Sequence, residues 1–169
     1  MRTATLTALT VMQPWAWAIA QGFKAVENRK WSTKYRGPLA IHAGISQRWI
    51  EDGRQFLFDQ SCAFDRPEWK MPEEESLDFG AIVAVVDVVD CITLAKLERE
   101  SRGLERIVPS IPAQQLRAFA GGPCCWILDN VRKLPEPIPC KGAQQLWFVP
   151  DDVAAAVHHA IAALTPSVR

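Results

Sequence analysis

The stretch Leu6 to Met12 mixes Thr with Leu and Val, the composition of a strand. Pro14 suits the first turn of a helix, where its missing N–H costs nothing, so Pro14 to Gln21 is expected to be helical. Gly22 stands where such a helix needs a left-handed residue to end, which puts Phe23 and Lys24 in a turn and a strand at Val26 to Trp31. After Gly37-Pro38, Leu39 to Ala43 reads as a strand with Leu39, Ile41 and Ala43 on one face and His42 on the other. Ser46 can cap a helix in which Trp49, Ile50, Gly53, Phe56 and Leu57 recur at helical spacing, to about Gln60. Ser61 to Phe79 carries Pro67, Pro72 and Glu73-Glu74-Glu75 with little periodicity and reads as a loop. The run AIVAVVDVVDC after Gly80 is apolar on both faces, as a central covered strand is. Thr93 caps a helix to about Arg102, and Ala113 to Phe119 makes another turn or two. CCWILDNVR from Cys124 is a strand, Pro135, Pro137 and Pro139 force an extended connection, and Gln145 to Val149 offers a last strand. Asp151-Asp152 open a final helix to about residue 164, with Val153, Ala156, Val157, Ala160, Ile161 and Leu164 as its apolar stripe. The elements together predict an α+β fold: one domain over residues 1–169, built as a small, mainly antiparallel β-barrel with surrounding helices.

Composition narrows the classes. With 49% apolar and 22% charged residues, disorder throughout is excluded, and 169 residues suffice to bury a core. There is no apolar run of membrane-spanning length and no secretory leader at the start, so a soluble, cytoplasmic protein that does not act on membranes is expected. Five cysteines, Cys62, Cys91, Cys124, Cys125 and Cys140, show no C-x-x-C spacing, which predicts free thiols and no bound metal. No cofactor motif is present either: G-x-x-x-x-G-K-[ST], G-x-G-x-x-G, H-E-x-x-H and G-x-S-x-G are all missing.

Formal charge sums to zero, so any attraction to nucleic acid has to be local. Between Gly22 and Gly37, Lys24, Arg29, Lys30, Lys34 and Arg36 oppose Glu27 alone, five charges against one, for a local balance of plus four. In a strand starting near Ala25, Glu27 and Arg29 share a face and Lys24 can swing onto it from the turn. Cationic donors beside one acceptor suit a phosphate plus a base edge, while the plain alternative is a surface ion pair. Lys34 and Arg36 extend the patch, and Trp15, one of 7 tryptophans, is the candidate for stacking a base. Asp87 and Asp90, three apart on the central strand, fall on opposite faces unless a bulge intervenes, and each needs a partner. His158 and His159 are sequential on a helix and cannot chelate together.

The segment QPWAWAIAQGFKAVENRKWSTKYRGPLAIHAG resembles the opening of ASCH domains, the ASC-1-homology branch of the PUA-like superfamily. Their Gly-x-Lys-x-x-Glu-x-Arg pattern falls on Gly22, Lys24, Glu27 and Arg29, and the likeness continues to about Val149. The resemblance implies a pseudo-barrel with helices packed around it and a cleft for RNA or modified nucleosides and nucleotides. It also implies an alternative, since some small ASCH proteins are amidohydrolases that deacetylate N4-acetylcytidine with a Lys, a Thr and a Glu, and others are described as ribonucleases. Lys24 matches that lysine, Glu27 occupies the place of the threonine, and the acid could be Glu98, Glu100 or Glu105.

Overall fold

The computed structural model describes residues 5–100, 103 and 106–164. Among the described residues the main elements follow in chain order: β1 (Thr7–Val11), α1 (Trp15–Ala20), β2 (Val26–Arg29), β3 (Gly37–Ala43), α2 (Ile50–Ala63), β4 (Ala81–Thr93), α3 (Leu94–Arg99), α4 (Ala113–Phe119), β5 (Cys124–Pro139), β6 (Leu146–Phe148) and α5 (Asp151–Leu164). Gly22 ends α1 at φ +86°, and the Thr93 side chain caps α3 by accepting from the Lys96 N–H. Ser46 does not cap α2. Its N-terminal flank is Trp49, without a side-chain cap, and Glu51 and Asp52 supply negative charge to the first turn instead.

The strands join in one sheet of order β2-β5-β4-β3-β1-β6. β1 lies parallel to β3, which makes the sheet mixed, and β2 and β6 remain as edges, so in place of the expected small, mainly antiparallel β-barrel there is an open, curled sheet. The parallel pair arises because the chain leaves β1 through α1, runs β2 on the far edge, and returns to lay β3 beside β1. Such a crossover is what a parallel pairing requires, and no local alternation encodes it.

Strand alternation divides the core. Leu9, Val11, Leu39, Ile41, Ala43 and Trp126 pack with Ala16, Ile19 and Ala20 of α1 on the concave side. Ala8, Ala40, Ile82 and Val85 face the other way and meet Ala154 and Val157 of α5. The buried side of α5 therefore centres on Ala154 and Val157, whereas Ala156 and Leu164 of the expected stripe are exposed. Register shifts between Val85 and Asp87 and between Val88 and Asp90 bulge β4 at its two acids. β5 runs straight through Pro135, Pro137 and Pro139 as strand. The stretch 61–79 is not a bare loop: α2 extends to Ala63, two 3-10 turns follow, and Trp69, Met71 and Leu77 are buried with Leu57 and Phe119.

Candidate functional site

β2 carries the site. Its alternation sends Val26 into the core, fully buried, and turns Glu27 and Arg29 to the opposite face. Lys24, in the link between α1 and β2, folds back onto that face: its ammonium donates to the Val26 carbonyl and, at 2.8 Å, to Glu27 Oε2. Arg29 Nη2 lies 3.1 Å from Glu27 Oε1 and donates to the Thr10 carbonyl at 2.7 Å. Each carboxylate oxygen thus holds one cation, and Lys24 and Glu27 are only 3% and 7% exposed.

The Arg29–Thr10 bond also reports the curl of the sheet. β2 and β1 are four strand spacings apart in the order, about 19 Å in a flat sheet at about 4.8 Å per step, beyond the reach of an arginine. Curling brings β1 over β2, and the space between them is a cavity of about 410 Å³. Thr10, Val11 and Met12 form one side, Lys24, Glu27, Asn28 and Arg29 another, and residues 118–121 at the end of α4 close it. Trp15, Trp49, Phe56 and Phe119 line the remainder. Trp15 meets Phe56 edge-on at 5.5 Å, and Phe56 meets Phe119 likewise at 5.7 Å. The Lys24 ammonium lies 6.0 Å from the Trp15 ring centroid.

Two contacts set the walls. A Cβ on Gly53 would fall 2.5 Å from the Pro14 ring, so only glycine lets α2 cross the start of α1 closely enough to present Trp49 and Phe56. Asn28, between Glu27 and Arg29 in the chain, donates to the Phe119 carbonyl at 2.8 Å and accepts from the Gly121 and Gly122 N–H groups at 3.0 and 3.2 Å. It ties the α4 end to β2.

The structure brings Trp15, Lys24, Glu27 and Arg29 to one cavity and leaves Lys34 and Arg36 out of it. Lys34 is exposed, and Arg36 pairs with Asp90 at 2.8 Å while donating to the Thr33 and Tyr35 carbonyls. Asp87 binds Arg132 and Asn130, so both β4 acids serve local pairing. Glu98 and Glu100 are exposed on or beside α3 and do not line the cavity, and Glu105 lies outside the described residues. The sequence reading missed Thr10, Asn28, Trp49, Phe56 and Phe119 as cavity residues. Trp49 and Phe56, seven apart, carried a helical signal, but their packing partner did not.

Elsewhere, His42 is 2% exposed; its Nε2 donates to the Cys140 carbonyl at 2.8 Å, and Nδ1 has no partner. Burial lowers its pKa, with the Cys140 hydrogen bond opposing. All five cysteines are free, and burial raises the pKa of Cys125 and Cys140, keeping them as thiols. Among the described residues no group of three or more His, Cys, Asp or Glu side chains could hold a metal ion, and no helix is long and apolar enough to cross a membrane.

Residues 9–138 match the ASCH domain, so the chain belongs to the ASCH domain family. It is 23% identical over 145 residues to Activating signal cointegrator 1 of Homo sapiens, and equally to that of Mus musculus. The match covers 82% of this chain and 21% of each relative, so the chain spans about a fifth of the length of the curated relatives it matches. Among solved structures, that of ASCH from Zymomonas mobilis is similar with a TM-score of 0.49 and 14% identity, over 94% of this chain and 96% of that one. Two single-substitution variants of the same protein give 0.47 and 0.48 at 11% identity.

Proposed function

We propose that this chain is a binding module for RNA or a modified nucleoside, whose base enters the cavity above Lys24, Glu27 and Arg29. The observation that carries this reading is a chain of three charges, Lys24 and Glu27 buried and Arg29 part-buried, at the base of an open, aromatic-walled cavity. Buried ion pairs are poor stabilisers, because well-packed apolar residues of similar volume do as well or better. Their placement on a cavity wall makes sense as recognition: Glu27 keeps lone pairs for a base amino group, and the cations keep N–H donors for a base carbonyl. The volume falls within the range of about 300–1,000 Å³ that small-molecule sites occupy, and stacking on aromatic walls adds about 1–3 kcal/mol per base.

Titration of labelled short RNAs and single nucleosides against wild type, Lys24→Ala, Arg29→Ala and Glu27→Gln tests it, with melting curves to confirm folding. The two alanine variants are expected to weaken every ligand, and Glu27→Gln to change which base is preferred. Binding by all variants as tightly as wild type would reduce the cluster to a structural ion network.

A second reading, hydrolysis of an acylated base or of a phosphodiester, draws on the burial of the Lys24 amine at the cavity, beside Glu27 at 2.8 Å. Release of acetate from N4-acetylcytidine, or cleavage of labelled RNA, that Lys24→Arg abolishes while binding persists would favour it, because guanidinium stays protonated.

A further inference from the structure

The two cations inside the cavity share one carboxylate. Lys24 donates to Glu27 and to the Val26 carbonyl, Arg29 pairs with Glu27 and donates to the Thr10 carbonyl, and the facing wall is aromatic. A phosphate brought here would give up its water and approach the Glu27 carboxylate, a like-charge contact that burial makes costly. A neutral planar base meets neither penalty.

The rim offers what the interior lacks. Trp49 lines the cavity and is 37% exposed, and the Arg48 guanidinium stands 5.2 Å from its ring centroid. Arg48 is exposed and, among the described residues, has no carboxylate partner. Arg48 does not itself line the cavity, but its contact with Trp49 holds the guanidinium beside a cavity-lining ring and leaves its N–H fork for an anion, the geometry that suits phosphate.

We propose that the cavity holds the base while Arg48, steadied on Trp49, binds the adjoining phosphate, so that the ligand is a nucleotide of a single strand rather than a free nucleoside. This rests on the base-binding reading of the cavity. A paired base could not enter, because its edge and faces are occupied within the duplex.

The test titrates the full chain with the four nucleosides, their 5′- and 3′-monophosphates, and single-stranded and duplex hexanucleotides of RNA and of DNA. Wild type is expected to prefer the monophosphate of its best base by about fivefold at low salt, the scale of one exposed charge pair. Arg48→Ala should narrow that preference to within about twofold and lower the log K against log salt slope for the single strand by about 0.7, the value for one phosphate contact. Arg48→Lys should keep most of the slope. Duplexes should bind more weakly than single strands, and the RNA and DNA arms show whether the sugar is read. Equal binding of nucleoside and monophosphate by wild type, or an Arg48→Ala variant that keeps the full preference and slope, overturns the inference while the cavity reading stands. Absence of binding by every ligand removes both.

Discussion

Each oxygen of the Glu27 carboxylate meets a different cation, so one negative charge is shared between two positive ones, with Lys24 and Glu27 buried and Arg29 part-exposed. Removing it differs from removing either partner. Glu27→Ala leaves the Lys24 ammonium buried with only the Val26 carbonyl, and breaking such a pair costs about 3–5 kcal/mol. Lys24→Met, which removes the buried cation and keeps the apolar volume, leaves Glu27 paired with Arg29 and is expected to cost much less. Urea denaturation of the two variants checks the order, and Lys24→Met destabilised as strongly as Glu27→Ala would show that the cluster is held by something other than charge compensation. That Lys24, Glu27 and Arg29 meet was legible from spacing, because a period of two on a strand and a turn three residues earlier suffice to bring them together.

At the scale of elements, the cavity exists because β2 and α4 are fastened to each other. Asn28 makes three hydrogen bonds to the Phe119–Gly122 segment, and a Cβ on Gly122 would approach Asn28 Cβ to 2.9 Å, so the two backbones are in near contact. At about 1 kcal/mol per hydrogen bond, Asn28→Ala should cost roughly 2–3 kcal/mol. Amide exchange at Gly121 and Gly122 should accelerate beyond what global destabilisation accounts for, because those N–H groups lose their acceptor. Asn28→Asp keeps that acceptor and should preserve most of their protection. Sequence reading located α4 at Ala113–Phe119 but could not show that Phe119 closes a site 91 residues away from Asn28 in the chain. Only the bonded segment in space does that.

At the scale of the molecule, a buried neutral histidine couples stability to pH. His42 on β3 faces the Trp147 ring of β6 edge-on at 5.6 Å, donates to the Cys140 carbonyl, and crowds Gly142, where a Cβ would fall 2.6 Å from Nδ1. The next link, Thr10 Oγ1 donating to the Ala143 carbonyl at 2.9 Å, joins this region to the cavity side of β1. Because burial depresses the folded pKa, the unfolded chain binds the proton first as pH falls below about 6.5. The stabilisation is therefore fully present above that value and is lost as pH drops toward the folded pKa, by at most about 1.4 kcal/mol per pH unit. Denaturation midpoints from pH 7 to 5 should decline in wild type, and His42→Gln should flatten that decline. An unchanged slope would assign the pH dependence to other groups.

Local pattern determined the elements. A Thr-, Leu- and Val-containing stretch marked β1, the two faces of Leu39–Ala43 marked β3, the Val-rich run marked β4, Gly22 ended α1 at a positive φ, Thr93 capped α3, and the G-x-K-x-x-E-x-R spacing placed three side chains on one face. These features act over a few residues, where the backbone period and steric limits are sufficient causes. The pairing of β1 with β3, the open edges, the burial of Trp69 within 61–79, and the capture of Arg36 by Asp90 were decided in three dimensions. Each depends on which distant segment supplies the partner, and a strand's own alternation is satisfied by several neighbours and registers alike. The cavity is the clearest case: its charged wall is written in one short segment, but its aromatic wall exists only because the sheet curls until β1 stands over β2.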